Sequence, residues 1–316
     1  VLYLGQGRWS LTMQTILGSN GQIGYELANE LYQNYTKELR LVGRHPQKIH
    51  DTDQVVVADL TDADQAFRAI QGSDVVYFTV GLPMDTPVWE AQFLQITQNV
   101  IQAAIKTNAK LAFFDNTYMY QKDATPQTET SPFLPVGRKS VIRAKMATRL
   151  LEAMTNEGLE AVIGRAPEFY GPDRTQGITN GMVFDRIKAG ERPQIPVSDT
   201  ALRTFIWTPD ASRDLALLGN TPDTYGQTWH LPVAPGISYQ ALLALAEKVV
   251  GRPIPYDVIP LSEFQNEATT NRLRAEQLEI LVRYQFDNVF ITDKFMRRFP
   301  DFHVTSFATG IQTILN

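Results

Sequence analysis

Three glycines with a regular spacing stand near the beginning of the chain, in the run Gly18-Ser-Asn-Gly21-Gln-Ile-Gly24. They follow a short apolar run and precede a stretch with helical periodicity. Glycine allows a tight turn and a close approach of the backbone to a ligand. The free N–H groups and the partial positive charge at a helix start attract phosphate. The turn therefore predicts a site for a dinucleotide pyrophosphate, the alternative being an ordinary strand–helix turn. The residues predicted to bind it are Gly18, Ser19, Asn20, Gly21, Gln22, Ile23 and Gly24.

A basic residue stands where the second strand should end, in Leu41-Val-Gly-Arg44-His-Pro-Gln-Lys48. An acidic residue there would accept hydrogen bonds from the adenosine ribose and favour NAD. The Arg44 guanidinium, helped by Lys48, instead suits a 2′-phosphate, because it forms charge-assisted hydrogen bonds with that group. We therefore expect NADP(H) to be favoured over NAD(H). The alternative is a solvated arginine that stacks on adenine and serves either cofactor.

Short apolar runs alternate with helical stretches through the first half of the chain. This alternation predicts βαβ units and a parallel sheet whose apolar strands are covered by helices on both faces. The predicted strands are Thr15–Leu17, Leu39–Val42, Gln54–Ala58, Asp74–Val80, Lys110–Phe114 and Leu159–Gly164. The predicted helices are Gly24–Tyr35, Thr61–Ile70 (opened by a capping box at Thr61), Trp89–Thr107 and Val136–Asn156. The expected fold is α/β, a doubly wound parallel Rossmann sheet with a smaller C-terminal substrate lobe.

The composition changes beyond Gly164, where proline and glycine become frequent. We expect residues 13–170 to form the dinucleotide-binding domain and residues 171–316 to form mainly the substrate lobe. A strand near residues 225–231 would return to the sheet, and Ser238–Val250 would form a helix that stops at Gly251. Residues 1–12 precede the periodic pattern and are interpreted as an N-terminal extension.

The composition also excludes several kinds of site. The 316 residues include no cysteine, which removes disulfides, thiolate metal ligands and cysteine nucleophiles. The histidines lack a convincing metal-ligand spacing, so no metal site is predicted. A net charge of −5 provides no basic surface for nucleic acid, and no apolar run is long enough to span a membrane. We expect a cytoplasmic protein with a small-molecule substrate.

From Met13 to about Gly251 the chain resembles the extended short-chain dehydrogenase/reductases, the group that contains nucleotide-sugar epimerases and dehydratases. The resemblance implies that Asp59 and Leu60 lie at the adenine and that Val80 and Gly81 pass under the nicotinamide ribose. It also brings Arg165 into the predicted cofactor site. Besides the glycine turn, the matching motifs are Ala58-Asp-Leu60, Val80-Gly81, Asn99, Arg165-Ala-Pro-Glu-Phe-Tyr-Gly-Pro172 and Phe205-Ile-Trp-Thr-Pro-Asp210.

The chain departs from this family at its catalytic pair, a tyrosine with a lysine four residues later on the helix after the fifth strand. That spacing places both side chains on one helix face, where the lysine lowers the tyrosine pKa for proton transfer. Here the two positions align with Val136 and Ser140, and neither residue can do that work. The family's serine or threonine after the fifth strand aligns with Asn116 or a neighbour.

Two groups of residues are candidates to replace the missing pair. Tyr118 begins the only literal Tyr-x-x-x-Lys run, ending at Lys122, although this spacing is interpreted mainly as chance. From the end of the fifth strand, Asn116, Thr117 or Tyr118 could still orient or protonate a substrate oxygen. Lys139, beside the expected lysine position, could bind the ribose, the alternative being a solvated basic helix surface.

These observations leave two functions open. The first is an NAD(P)-dependent oxidoreductase, epimerase or dehydratase that acts on a small carbonyl or sugar-type substrate through a modified proton relay. The second is a non-catalytic NADP(H)-binding redox sensor, which the loss of the catalytic pair favours. A homodimer through the helices Trp89–Thr107 and Val136–Asn156 is compatible with either function.

Overall fold

A computed structural model describes residues 12–316 of the protein. The predicted N-terminal extension therefore lies, apart from Thr12, outside the described residues. The strands are β1 (Gln14–Leu17), β2 (Leu39–Gly43), β3 (Gln54–Val57), β4 (Val75–Phe78), β5 (Lys110–Asp115), β6 (Ala161–Arg165), β7 (Glu168–Tyr170), β8 (Gln194–Pro196), β9 (Phe205–Trp207), β10 (Thr228–His230) and β11 (Asp257–Ile259).

The helices connect and flank these strands. They are α1 (Gln22–Asn34), α2 (Ala63–Ile70), α3 (Thr86–Thr107), α4 (Arg138–Asn156), α5 (Asp185–Lys188), α6 (Thr208–Gly219), α7 (Tyr239–Val250), α8 (Leu261–Glu267), α9 (Arg272–Leu281), α10 (Asp293–Arg298) and α11 (Phe307–Leu315). Among the described residues, no helix is long and apolar enough to cross a membrane.

Seven parallel strands form the central sheet, in the spatial order β10-β6-β5-β4-β1-β2-β3. Strands β1 and β4 are buried along their whole length, because helices cover both faces of the sheet. One apolar cluster joins the sheet to α2, α3 and α4, and a second joins its other face to α1 and α6. The predicted fold class, a doubly wound parallel α/β sheet, is confirmed. The order reverses between β1 and β4, and in doubly wound sheets ligands bind at the carboxyl ends of the strands at such a point.

The predicted strands are all present, with ends that differ by no more than two residues. The predicted start of the second helix is wrong in detail. Asp62, not Thr61, caps α2, and its side chain accepts a hydrogen bond from the Gln65 N–H. Thr61 instead donates to the Asp59 carboxylate through its N–H and its hydroxyl, at 2.9 and 2.7 Å. Asp59, the acid after β3, therefore accepts hydrogen bonds from Thr61, the residue that the sequence pattern assigned to the N-cap of α2.

From β7 onwards the chain builds its own apolar cluster from the short strands β7, β8 and β9 and the helices α7 and α11. Tyr170 lies at its centre, with ring centroids 5.1 Å from Trp207 and 5.3 Å from Phe307. Ser238 caps α7, which ends at Gly251 with a φ of 70°. Between these elements β10 returns to the sheet and pairs with β6.

Candidate functional site

The glycine turn between β1 and α1 leaves no room for side chains at two of its three glycines. Gly18 has a φ of +89°, and a Cβ there would lie 2.9 Å from the Val80 Cα. A Cβ on Gly24 would lie 2.5 Å from the Gly18 carbonyl oxygen. The first turn of α1 therefore packs directly against the glycine turn, and the glycine turn packs against Val80, just beyond β4. Only glycine permits this close approach.

The same turn leaves polar groups without protein partners. The N-cap residue, Gly21, has no side chain to accept hydrogen bonds from the first N–H groups of α1. The Ser19 hydroxyl is fully buried, and no partner for it exists among the described residues. An orphaned hydroxyl beside an uncapped helix start fits the phosphate oxygens of a dinucleotide. Ile23 is buried in the apolar cluster and can contribute its backbone alone.

Two other residues of the turn hold neighbouring loops in place. The Asn20 amide donates to the His45 carbonyl at 2.6 Å, which fixes the loop that begins with Arg44. The Gln22 side chain accepts a hydrogen bond from the Gln176 N–H at 2.5 Å. The turn is therefore tied both to the end of β2 and to the segment that follows β7.

The ends of β2 and β3 lie side by side and carry opposite charges. Arg44 is exposed just beyond β2, and Asp59 is exposed two residues beyond β3. Hydrogen bonds from Thr61, followed by the positive charge of Arg44, lower the pKa of Asp59. Asn99 on α3 donates to the carbonyls of Leu60 and Thr61, both at 2.9 Å, and so positions the loop that carries Asp59.

Three predicted catalytic residues follow β5 directly. The Asn116 side chain accepts a hydrogen bond from the Tyr118 N–H at 3.1 Å, which shapes this turn. The Thr117 hydroxyl accepts one from Arg283 at 3.0 Å. The Tyr118 ring stacks on Trp89 with centroids 6.2 Å apart and planes 11° apart. No partner for the Tyr118 hydroxyl is found between residues 12 and 316.

Tyr118 and Lys122 do not form a hydrogen-bonded pair. Burial raises the pKa of Tyr118, and the positive charge of Arg283 partly opposes this effect. The Lys122 ammonium donates to the carbonyls of Val136 and Glu279 instead. Burial lowers the pKa of Lys122 to about 8. Both side chains do line one small cavity, so the two residues share a site without direct contact.

Lys139 is buried and already paired. Its side chain is 1% exposed, and its ammonium forms an ion pair with Glu276 of α9. Glu276 also accepts hydrogen bonds from the N–H and the hydroxyl of Thr86, at 3.0 and 2.6 Å. Burial alone would raise the pKa of Glu276, but the hydrogen bonds from Lys139 and Thr86 lower it to about 2. The alternative of a solvated basic helix surface therefore does not hold for Lys139.

Arg165 is also surrounded by protein groups. It is 1% exposed and donates to Asp115 at 3.0 Å and to the Tyr120 hydroxyl at 2.6 Å. Asp115 takes a second arginine, Arg143, at 2.7 Å. None of these partners is a predicted cofactor residue. Arg165 therefore supports the turn after β5 through Asp115 and Tyr120. Val80 and Gly81 follow β4, and Val80 lies against Gly18 of the glycine turn.

Sequence reasoning missed the residues that α9 and the turn after it bring to this site. Glu276, Glu279 and Arg283 contact Lys139, Ser140 and Thr117 respectively. No motif marks them, because they lie far along the chain from their partners. Only the path of the second lobe brings them to the ends of β4 and β5.

The profile of a family described as the NAD dependent epimerase/dehydratase family matches residues 15–230. No curated protein sequence matches this chain. The fold is similar to that of UDP-glucuronic acid 4-epimerase from Bacillus cereus in complex with NAD, with a TM-score of 0.77 and 16% identity, covering 96% of this chain and 97% of that chain.

Two further solved structures are similar over the same share of the chain. The dTDP-glucose 4,6-dehydratase DesIV from Streptomyces venezuelae, with NAD and TYD bound, has a TM-score of 0.77 at 15% identity, covering 96% of each chain. The Bordetella bronchiseptica enzyme WbmH in complex with NAD+ has a TM-score of 0.73 at 17% identity, covering 96% of this chain and 97% of that chain. At these identities the likeness concerns the fold.

Proposed function

Because the chain belongs to the NAD-dependent epimerase/dehydratase family, a family of enzymes, we propose that it binds a nicotinamide dinucleotide and acts on a sugar-type or small carbonyl substrate. The observation that carries this proposal is the glycine turn. Its uncapped helix start and the buried, unpartnered Ser19 hydroxyl suit a pyrophosphate. Four other predicted cofactor residues, Asp59, Leu60, Val80 and Gly81, follow β3 and β4 at the carboxyl edge of the same sheet.

We propose that Tyr118 replaces the missing catalytic tyrosine. When bound, the nicotinamide would supply or accept the hydride. Because burial raises its pKa, Tyr118 is protonated at neutral pH and suited to donate a proton to the oxygen of a carbonyl undergoing reduction. Asn116 holds the turn, and Thr117 links it to Arg283, the cation that would assist loss of the Tyr118 proton in the reverse direction.

The choice between the two dinucleotides rests on opposing observations. The exposed Arg44 favours NADP(H), since its guanidinium is available for a 2′-phosphate. The similar structures that contain NAD, and the carboxylate of Asp59 beside Arg44, favour NAD(H). We retain NADP(H) as the proposal because no acid follows β2 itself. The proposed homodimer through α3 and α4 is compatible with either NADP(H) or NAD(H).

Calorimetric titration of the purified protein with NADPH and NADH, alongside Arg44→Ala, tests the cofactor. We expect tighter binding of NADPH and a loss of that preference in Arg44→Ala, by about tenfold for one charge-assisted contact. Arg252→Ala is the matched control, because Arg252 is an exposed arginine that follows α7 and is not among the predicted cofactor residues. Preference for NADH in the unaltered protein would refute the Arg44 argument. Binding of neither would refute the proposed function.

A second candidate function is a non-catalytic NADP(H)-binding redox sensor. The observation that favours it is the start of α4, where Val136 and Ser140 replace the catalytic pair and Lys139 is paired with Glu276. A sensor would bind the reduced and oxidised cofactor with unequal affinity and would not oxidise NADPH in the presence of any carbonyl compound. An enzyme would show substrate-dependent oxidation.

A further inference from the structure

The helix α9 lies across the start of α3, the start of α4 and the end of β5 in the dinucleotide-binding domain. At its start, Arg272 forms an ion pair with Asp85, just before α3, at 2.6 Å. One turn later, Glu276 accepts both hydrogen bonds from Thr86. Beyond its end, Arg283 donates to Thr117 after β5. These contacts connect α9 to the turns after β4 and β5, where the predicted nicotinamide end of the site lies.

Two carboxylates of α9 bind polar groups in the first turn of α4. Glu276 pairs with the Lys139 ammonium, and Lys139 also donates to the Glu276 carbonyl at 3.1 Å. Glu279 accepts hydrogen bonds from the Lys139 N–H at 3.2 Å, the Ser140 N–H at 2.9 Å and the Ser140 hydroxyl at 3.2 Å. Glu276 and Glu279 therefore already bind the hydrogen-bond donors at the start of α4 that a substrate or a ribose would need there.

The space that remains between α9 and the candidate catalytic residues is very small. The cavity lined by Tyr118, Lys122, Ser140, Ile280 and Arg283 has a volume of about 10 Å³. That volume holds about one water molecule, whereas pockets for small ligands measure roughly 300–1,000 Å³. With α9 in this position, the cavity is too small to hold a sugar or a nicotinamide ring.

The attachment of α9 is mainly polar and leaves most of the helix outside the core. Only Glu276, Ile280 and Leu281 of its ten residues are buried. The pair between Arg272 and Asp85 is largely exposed on the arginine side and therefore contributes little stability. A helix with few buried apolar contacts opens at a lower free energy than the central sheet.

We propose that α9 is a gate over the active site. In the closed arrangement, Glu276 keeps the Lys139 ammonium in an ion pair, and Glu279 accepts hydrogen bonds from the N–H groups at the start of α4. In the open arrangement, Arg272–Leu281 moves away, Lys139 becomes free for the ribose hydroxyls of the cofactor, and the cavity beside Tyr118 widens for the substrate. The proposal rests on the proposed function for what enters the site, but opening itself is a property of the free protein.

Amine acetylation followed by mass spectrometry tests the gate without a substrate. Lys139 and Lys145 lie on the same helix, and Lys145 is exposed, so it serves as the internal reference. We expect slow acetylation of Lys139 relative to Lys145 in the unaltered protein. Glu279→Ala, which leaves the Lys139 ammonium and its pairing with Glu276 untouched, should raise the relative rate about fivefold, as expected for losing partly buried hydrogen bonds. Glu263→Ala on α8 is the matched control and should leave the rate unchanged.

Amide hydrogen exchange of the unaltered protein provides a second measurement that needs no variant. We expect residues 272–281 to exchange faster than β4 and β5, with a weaker dependence on denaturant, since local opening exposes less surface than unfolding does. Saturation with NADPH or NAD+ should accelerate this exchange. The gate is refuted if residues 272–281 exchange only with the central sheet, or if Glu279→Ala leaves Lys139 as protected as before. Cofactor binding, measured by calorimetry on the same sample, reports separately on the proposed function.

Discussion

The Lys139 ammonium and the Glu276 carboxylate form a buried ion pair between residues 137 positions apart in the chain. It joins the first turn of α4 to α9, and Thr86 completes the coordination of the carboxylate. Removing one partner of such a pair leaves an uncompensated buried charge, which costs far more than the pair itself contributes. The pair therefore attaches α9 to α4 and also keeps the Lys139 ammonium from binding other groups.

Glu276→Gln should lower the free energy of unfolding by about 3 kcal/mol, because Lys139 then stays buried without a counter-charge. Adding Lys139→Met should recover most of that loss, while glutamine still accepts from Thr86. Because the folded pKa of about 2 lies below the usual 4.5, the stabilisation by Glu276 is present above pH 4.5 and is lost as the pH falls towards 2. Denaturant titrations at pH 7 and pH 3 measure both effects, and equal losses in the single and double variants would contradict the role of the pair.

Gly24→Ala should weaken cofactor binding at least tenfold, because the new Cβ would lie 2.5 Å from the Gly18 carbonyl oxygen and force the turn open. The contacted atoms belong to the backbone and cannot move aside cheaply. Gly181→Ala is the control, since a Cβ at that position would enter open space. Calorimetry with NADPH compares the two variants, and equal affinities would mean that the turn does not hold the pyrophosphate.

Tyr118→Phe should reduce turnover by about 10²–10³-fold while leaving cofactor affinity unchanged, since it removes a proton donor and no binding group. Screening of small carbonyl and sugar-type compounds for NADPH oxidation provides the assay. Tyr256→Phe, which removes a hydroxyl bonded to Asp199 in the second lobe, is the matched control. Unchanged rates in Tyr118→Phe would remove Tyr118 from the proton relay and return attention to Asn116 and Thr117.

His230 should make the protein less stable as the pH falls below neutrality. Burial, followed by the charge of Arg165, lowers its pKa to about 3. Its neutral ring accepts from the Tyr120 hydroxyl at 2.7 Å and donates to the Ile291 carbonyl at 2.9 Å. Since the unfolded residue binds its proton near pH 6.5, stability is lost as the pH falls through that value.

The loss between pH 7.5 and pH 5 should be about 2 kcal/mol, and His230→Gln should abolish this dependence. The exposed His45 provides the control substitution, His45→Gln, which should keep it. Urea titrations at the two pH values make the comparison, and an identical pH dependence in both variants would show that His230 does not stay neutral when folded.

The sequence by itself determined the sheet and the glycine turn. The periodic spacing of apolar residues is a local property of the sequence. The strands β1 to β6 and the helices α1 to α4 begin and end within a few residues of the positions that this spacing predicts. The need for glycine at position 24 is likewise local, because a Cβ there would collide with the Gly18 carbonyl oxygen. At position 18 the φ of +89° is a local requirement, whereas the collision of a Cβ with Val80 depends on the tertiary structure. The cap of α2 was misassigned because Thr61 is used by Asp59 instead.

Only the tertiary structure decided which groups surround Tyr118 and Lys139. The spacing of Tyr118 and Lys122 was interpreted mainly as chance, and only the structure shows that the Lys122 ammonium donates to two backbone carbonyls. Glu276, Glu279 and Arg283 belong to a lobe whose path no periodic pattern specifies, and Arg165 is enclosed by Asp115 and Tyr120. Ion pairs between distant segments depend on how separately folded layers pack, and a pattern that repeats every two to four residues carries no information about that packing.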